Sequence, residues 1–245
     1  TATSAQVATL GDATNAVITA SVRAFIKSIG GKLYAWVYNK DTAATTVTAI
    51  HLYSSSNGTT WALTAAAITG LVAWGASDAP GPMIGLGTNL ILTYWDNSAS
   101  SILVYKSTDS GVNVTLVATV PSAGPPLGLA EWYDAAGNDV IWMRRREGIG
   151  YINSGLTAYV PVHDMPGEQA NAYGLEVWQG NLYVPSQEGL NKCYFSNVGG
   201  QVGLIVEPMG LNKGAGVAGT KGGFITAMSR SDLWLFIAQG GAAGR

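Results

Sequence analysis

The chain has 245 residues, of which 47% are hydrophobic and only 11% are charged, and its formal net charge is −2. This charge gives no broad attraction to phosphate backbones or anionic membranes, so we expect no nucleic-acid partner. No apolar stretch reaches the ~18 residues of a membrane span, so we expect no membrane insertion, and the single cysteine, Cys193, excludes an internal disulfide.

Turn and strand signals recur about every 50 residues along the chain. In five places a Gly- or Ser-containing turn precedes a hydrophobic strand, whose first aliphatic residues are Leu33, Leu90, Val140, Leu182 and Leu233. A Tyr ends a further apolar run in each of the first four units: Tyr53, Tyr105, Tyr151 and Tyr194. Repeats of this length with strand-like content are typical of β-propeller blades.

The predicted strands follow in chain order. An N-terminal hairpin is predicted over 7–10 and 16–21. The first unit has strands over 23–29, 33–38, 47–53 and 61–68, and the second over 82–86, 90–95, 101–105 and 114–120. The third has strands over 128–133, 140–144, 150–152 and 157–162, and the fourth over 174–178, 182–185, 191–195 and 203–206. The fifth has only two, over 223–228 and 233–238.

These units predict an all-β fold, a β-propeller of four-stranded antiparallel blades with about 4.5 blades in this chain. The predicted organisation is an N-terminal segment, 1–22, followed by blades over 23–70, 81–121, 127–163, 173–208 and 222–245. The incomplete last blade needs partners for its strand edges. Either residues 7–21 supply them and close the ring, or the chain is part of a longer ring.

Two turns carry a recognisable motif. Residues Ser54 to Trp61 read SSSNGTTW, and Ser107 to Val114 read STDSGVNV. Both resemble the Asp box of sialidase-like (BNR) β-propellers. The resemblance implies a turn between the third and fourth strands of a blade, held by side-chain acceptors and a Gly. The box residues expected to be structural are Ser54, Ser56, Gly58, Trp61, Ser107, Asp109 and Gly111. The overall pattern also resembles propeller domains of bacteriophage tail and fibre proteins.

The residue inventory limits the chemistry. A sialidase needs three separated arginines around a carboxylate, but Arg144, Arg145 and Arg146 are consecutive, and neighbours on a strand point to opposite faces. With only His51 and His163, a His-rich zinc site is excluded, and we predict no metal, no cofactor and no catalytic set.

Some residues remain as ligand candidates. Glu131 and Glu176 occupy similar places in the first strands of the third and fourth units, which line the channel of a propeller. Trp95, Asp96, His163 and Asp164 fall at strand ends or in connections on the face where propellers bind ligands.

The resulting functional prediction is a non-catalytic structural or recognition module of a virion or other extracellular assembly, with an enzyme less favoured. Its expected partners are other virion or assembly proteins and a cell-surface glycan. The alternative is a sialidase-like glycoside hydrolase, with Glu131, Glu176, Asp96 or Asp164 as acid/base candidates.

Overall fold

The computed structural model describes residues 23–40, 47–65, 78–165, 174–186, 189–209 and 224–240. Within these ranges all regular structure is β-strand, in four four-stranded antiparallel sheets and one two-stranded sheet. In every sheet the strands lie in chain order, which is the meander of a propeller blade. The predicted all-β, β-propeller fold class is confirmed.

The strands have the following bounds. The first sheet contains β1 (Arg23–Ile29), β2 (Lys32–Lys40), β3 (Val47–Ser55) and β4 (Ala62–Ala65). The second contains β5 (Ala79–Leu86), β6 (Asn89–Asp96), β7 (Ser101–Ser107) and β8 (Thr115–Pro121). The third contains β9 (Gly128–Tyr133), β10 (Asp139–Arg144), β11 (Gly148–Ile152) and β12 (Tyr159–Asp164). The fourth contains β13 (Glu176–Trp178), β14 (Asn181–Ser186), β15 (Gly189–Val198) and β16 (Gln201–Pro208). The fifth contains β17 (Phe224–Arg230) and β18 (Leu235–Gly240).

The hairpin turns explain why these strands begin where the sequence predicts. Gly87, Gly137 and Gly180 have φ of 59°, 85° and 77°, a region that glycine enters without a steric penalty. The N-terminal hairpin predicted over 7–10 and 16–21 lies outside the described residues, so closure of the ring stays a prediction.

The chain divides into two compact units, Thr1–Pro121 and Ser122–Arg245. In the first unit, the core lies between the first and second sheets, where Trp36, Leu52, Leu92 and Tyr105 are fully buried. The indole of Trp36 also donates a hydrogen bond of 3.1 Å to the carbonyl of Thr93, so this interior ring leaves no donor unpaired.

In the second unit, the core lies between the third and fourth sheets and is built around aromatic rings. The ring centroid of Trp142 lies 5.4 Å from that of Trp132 and 5.3 Å from that of Tyr151, and Trp132 stacks on Phe195 at 5.2 Å. At the start of the first strands the backbones come close, since the N–H of Gly174 donates to the carbonyl of Leu127 at 2.9 Å.

No helix in the described part of the chain is long and apolar enough to span a membrane.

Candidate functional site

Two buried aspartates, Asp78 and Asp96, lie at one end of the second sheet. β5 pairs with β6 so that Ala79 is opposite Trp95. The next positions outward are Asp78 and Asp96, and cross-strand neighbours have Cβ atoms about 5 Å apart. Only 3% of Asp78 and 4% of Asp96 is exposed. Buried carboxylates require compensating contacts, so their hydrogen bonds decide what they can do.

Asp78 is fixed through both of its oxygens. The hydroxyl of Tyr94 donates to Oδ2 at 2.8 Å, and the backbone N–H of Asn97 donates to Oδ1 at 2.8 Å. Burial, followed by the hydrogen bond to Asp78, raises the pKa of Tyr94 far above its ordinary value. The phenol therefore keeps its proton and remains a donor to Asp78 at neutral pH.

Asp96 uses one oxygen to shape the turn that follows β6. Its Oδ1 accepts from the hydroxyl of Ser98 at 2.7 Å and from the N–H of Ala99 at 3.0 Å, and Ser100 has a φ of 49°. An Asp side chain that accepts from a backbone N–H a few residues further on, as Asp96 does from Ala99, is typical of turns. No hydrogen bond within the described residues involves Oδ2.

Two hydroxyl groups on the same side of the sheet have no hydrogen-bond partner among the described residues. Ser101 faces Asp96 across β6 and β7, and its buried Oγ has no hydrogen bond within the described ranges. The buried Oη of Tyr105 is also unpaired, and burial, with a smaller effect of the Asp96 charge, raises the pKa of this phenol. Unpaired buried hydroxyls are costly, so this end of the sheet has unused capacity to bind a polar ligand.

The other residues predicted from the sequence are dispersed. Trp95 is only 6% exposed, which makes it part of the packed sheet rather than an open platform. His163 and Asp164 are exposed at the end of β12. Asp78, which the sequence analysis missed, is marked only by its place before the Pro-rich start of β5.

Glu131 and Glu176 lie on neighbouring first strands but point away from each other. Ala130 and Trp132, which flank Glu131, pack in the core shared with the fourth sheet, so the exposed Glu131 points away from that sheet. Oε2 of Glu176 instead lies 3.8 Å from Nε of Arg230 on β17. Nη1 of the same arginine donates a hydrogen bond to the carbonyl of Val177. The two glutamates therefore do not form a convergent pair.

In the first motif turn, the side chains that accept the backbone hydrogen bonds lie one position later than the comparison with the Asp box predicted. The Oγ of Ser55 accepts from the N–H of Gly58 at 2.9 Å, and Oδ1 of Asn57 accepts from the N–H groups of Thr59 and Thr60 at 2.9 and 2.8 Å. Ser55 and Asn57 thus hold the positions assigned to Ser54 and Ser56. The indole of Trp61 closes the turn on the carbonyl of Gly58 at 3.2 Å.

The second motif turn follows the predicted alignment. The Oγ of Ser107 accepts from the N–H of Gly111 at 2.8 Å and donates to Asp109 at 2.8 Å, and Asp109 accepts from the N–H of Asn113 at 2.9 Å. The corresponding turn of the third sheet uses Asn153, whose Oδ1 accepts from the N–H of Thr157 at 2.8 Å. These side chains are occupied in holding turns.

No group of three or more His, Cys, Asp or Glu side chains in the described ranges is placed to hold a metal ion.

No protein-family model and no curated protein sequence matches the chain. Solved structures share its strand arrangement at low identity. An exo-β-1,3-galactanase from Phanerochaete chrysosporium is 14% identical over 78% of this chain and 50% of its own, with a TM-score of 0.46. The arabinanase of Bacillus subtilis is 15% identical over 82% of each chain, with a TM-score of 0.42. A Dyadobacter fermentans protein of unknown function is 12% identical over 82% of this chain and 67% of its own, with a TM-score of 0.48.

The chain spans about half the length of the galactanase structures that it resembles. The galactanase and the arabinanase are glycoside hydrolases, and this finding corrects two predictions from the sequence. On this comparison, the prediction of a non-catalytic structural module is wrong, and so is the preference against an enzyme. The comparison favours the alternative predicted from the sequence, a glycoside hydrolase. The likeness to these structures is one of strand arrangement.

Proposed function

We propose that the chain is a glycan-acting β-propeller with glycoside hydrolase activity. The observation that carries the proposal is the pair of buried aspartates, Asp78 and Asp96, each one position beyond the paired residues Ala79 and Trp95 at one end of the second sheet. Glycoside hydrolysis uses two carboxyl groups about 5 to 10 Å apart, one to protonate the leaving oxygen and one to assist at the sugar ring. Neighbouring strand positions provide spacing at the lower end of that range.

The hydrogen bonds suggest different roles for the two carboxylates. Oδ2 of Asp96 makes no bond within the described residues, so it can give a proton to the glycosidic oxygen or take one from water. Asp78 accepts hydrogen bonds on both oxygens and is held in place by Tyr94 and Asn97. It is suited to stabilise the positive charge that develops on the sugar ring in the transition state.

Turnover of oligosaccharides by active-site variants tests the proposal. Asp96→Asn keeps the shape of the side chain but removes its acid/base function, so we expect the rate of hydrolysis to fall by about 10²- to 10⁴-fold. Asp78→Asn removes the negative charge that stabilises the sugar ring in the transition state, so we expect a similar fall in rate. Asp139→Asn, at the exposed start of β10, is the matched control and retains turnover. Circular dichroism of each variant checks the fold. Full turnover by a folded Asp96→Asn variant, or no turnover of any glycan by the wild type, contradicts the proposal.

We also propose that the chain is related to the Asp-box propellers and that a cell-surface or free glycan is its substrate. The turns held by Ser107 and Asp109, and by Ser55 and Asn57, support the first point. Replacing both acceptors in one turn by Ala should destabilise the protein without removing turnover, because these side chains bond within their own turns.

A further inference from the structure

The first motif turn contains the only Asn-Gly dipeptide of the sequence, Asn57-Gly58. Asn57 is exposed and Gly58 is half-buried, so water reaches both residues. Because Gly58 has no Cβ and a φ of 76°, no side chain on this residue hinders the approach of its backbone nitrogen to the side chain of Asn57. That approach is the first step of deamidation, which converts an asparagine amide into a carboxyl group.

The turn polarises the amide of Asn57. Its Oδ1 accepts hydrogen bonds from the N–H groups of Thr59 and Thr60 at 2.9 and 2.8 Å, and from the hydroxyl of Ser55 at 3.1 Å. Donors on a carbonyl oxygen stabilise the negative charge that develops there when a nucleophile attacks the carbon. The bonds that hold the turn therefore also activate Cγ of Asn57.

The attacking and leaving nitrogens are both placed for this reaction. The backbone N–H of Gly58 donates to Oγ of Ser55 at 2.9 Å, which gives the departing proton an acceptor. Nδ2 of Asn57 makes no hydrogen bond within the described residues, so the folded turn does not hold the nitrogen that has to leave.

The equivalent turn of the third sheet lacks these features and serves as an internal control. Oδ1 of Asn153 also accepts a backbone hydrogen bond, from Thr157 at 2.8 Å. However, Nδ2 of Asn153 donates to Oγ1 of Thr157 at 2.9 Å, so the amide nitrogen is held. The next residue is Ser154, whose side chain restricts the backbone more than glycine does.

We propose that Asn57 is a deamidation site of the folded protein, at which the first motif turn acquires a carboxylate. The backbone nitrogen of Gly58 bonds to Cγ of Asn57, and the bond from Cγ to Nδ2 breaks. Ammonia leaves with the proton that the Gly58 nitrogen gives up, and a cyclic imide remains. Water then opens the imide, at Cγ to give aspartate or at the main-chain carbonyl carbon to give isoaspartate.

The second sheet shows that such a turn accepts the aspartate product. Asp109 lies in the equivalent turn, and its Oδ1 accepts from the N–H of Asn113 at 2.9 Å and from the hydroxyl of Ser107 at 2.8 Å. An aspartate in the first turn keeps the same bonds, and bonds to a charged acceptor are stronger. Isoaspartate adds a methylene group to the main chain and cannot keep this geometry.

Peptide mapping by mass spectrometry tests the proposal within one sample. The folded wild type is incubated at about pH 8, which favours loss of the amide proton, and the deamidated fractions of Asn57 and Asn153 are followed. We expect Asn57 to lose its amide about ten times faster than Asn153. Gly58→Ala should remove most of this difference, whereas Gly155→Ala, in the turn of the third sheet, leaves the rate at Asn57 unchanged.

The same measurement in guanidinium chloride separates the folded turn from its sequence. Because the turn activates the amide, we expect Asn57 to react at least as fast in the folded protein as in the unfolded chain. Slower loss in the folded protein would show that the turn protects Asn57 and would overturn the proposal. Equal rates at Asn57 and Asn153 in the folded wild type overturn it as well.

The product form provides a test that does not depend on the rate. Asn57→Asp should melt at or above the wild-type temperature at about pH 6, because the carboxylate keeps the bonds from Thr59 and Thr60. Asn57→Leu, a side chain of similar size without an acceptor, should melt lower. If Asn57→Asp melts as low as Asn57→Leu, the turn does not accept the product, and the proposal is wrong.

Discussion

Different side chains close equivalent turns between the third and fourth strands of the sheets. Asp109 accepts backbone N–H bonds in the second sheet, Asn57 in the first and Asn153 in the third. The turn requires an acceptor at this place, and both carboxylate and amide oxygens satisfy that requirement. Of these three acceptors only the carboxylate titrates, so only Asp109 adds a pH dependence.

We predict that Asp109→Asn changes the pH dependence of stability. Hydrogen bonds from the backbone and side chain of Asn113, and then from Ser107, lower the pKa of Asp109 below its ordinary value of 3.8. A lowered folded-state pKa stabilises the protein above the ordinary value, and the effect is lost as pH falls through the folded-state pKa. The melting temperature of Asp109→Asn should therefore differ from wild type more at about pH 6 than at about pH 2.5. A difference that is the same at both pH values would contradict this.

Cys193 should be unreactive in the folded protein. It is fully buried, and burial raises the pKa of its thiol from 9.0 to about 12. The folded state then keeps a proton that the unfolded state loses, so stability falls as pH rises from about 9 to about 12. A disulfide reagent such as DTNB should modify Cys193 only after unfolding in urea. Cys193→Ala should weaken the alkaline loss of stability, and rapid labelling of the native thiol would show that the group is accessible.

At the level of elements, the first strands of the third and fourth sheets approach too closely for a side chain. A Cβ on Gly128 would lie 2.7 Å from the carbonyl carbon of Gly174, whereas a Cβ on Gly203 of β16 would meet nothing within 4 Å. Gly128→Ala therefore forces the two backbones apart. The overpacking should cost about 1–3 kcal/mol of unfolding free energy.

The matched control is Gly203→Ala, which places the same methyl group in a strand with open space. We expect this variant to unfold in urea at or above the wild-type midpoint, since alanine restricts the unfolded chain more than glycine does. Equal midpoints for Gly128→Ala and Gly203→Ala would show that the approach of Gly128 to Gly174 carries no strain.

The strands were predictable because their signals are local. Turn glycines such as Gly87, Gly137 and Gly180 precede strands of alternating or continuous apolar residues, and both features can be recognised within a few positions. The carboxylate pair was not predictable in full. Asp96 ends a visible strand, but its pairing with Asp78 depends on the register of β5 after an irregularity between Pro80 and Met83.

The burial of individual side chains was the property that was hardest to predict from the sequence. Trp95 was expected on an open ligand face, yet it is packed, and the interior Arg144 comes from a run of charges that suggests a surface. Both outcomes depend on which neighbouring sheet covers a strand end, and that information is not local. The shift from Ser56 to Asn57 has a different cause: several Ser and Asn residues in succession could each accept the same bonds.

At the level of the whole molecule, each of the two compact units contains a hydrophobic cluster, which includes Trp36 in one unit and Trp142 in the other. We predict that each core substitution acts first on its own unit. Trp36→Ala and Trp142→Ala should each cost about 3–5 kcal/mol, because each leaves a large cavity. Hydrogen exchange measured by mass spectrometry should show lost protection mainly in the unit that carries the substitution. Equal loss in both units would show that they unfold as one.

The aromatic cluster of the second unit has a spectroscopic consequence. Trp132 and Trp142 lie with ring centroids 5.4 Å apart and planes inclined by 54°. Transition dipoles this close and this oblique couple, so the folded second unit should give an exciton signal in circular dichroism in the indole absorption bands. Since one indole belongs to β9 and the other to β10, the signal reports the pairing of these two strands within their sheet. It is an intrinsic optical marker of the second unit, and Trp142→Phe should remove it while Trp36→Phe leaves it in place.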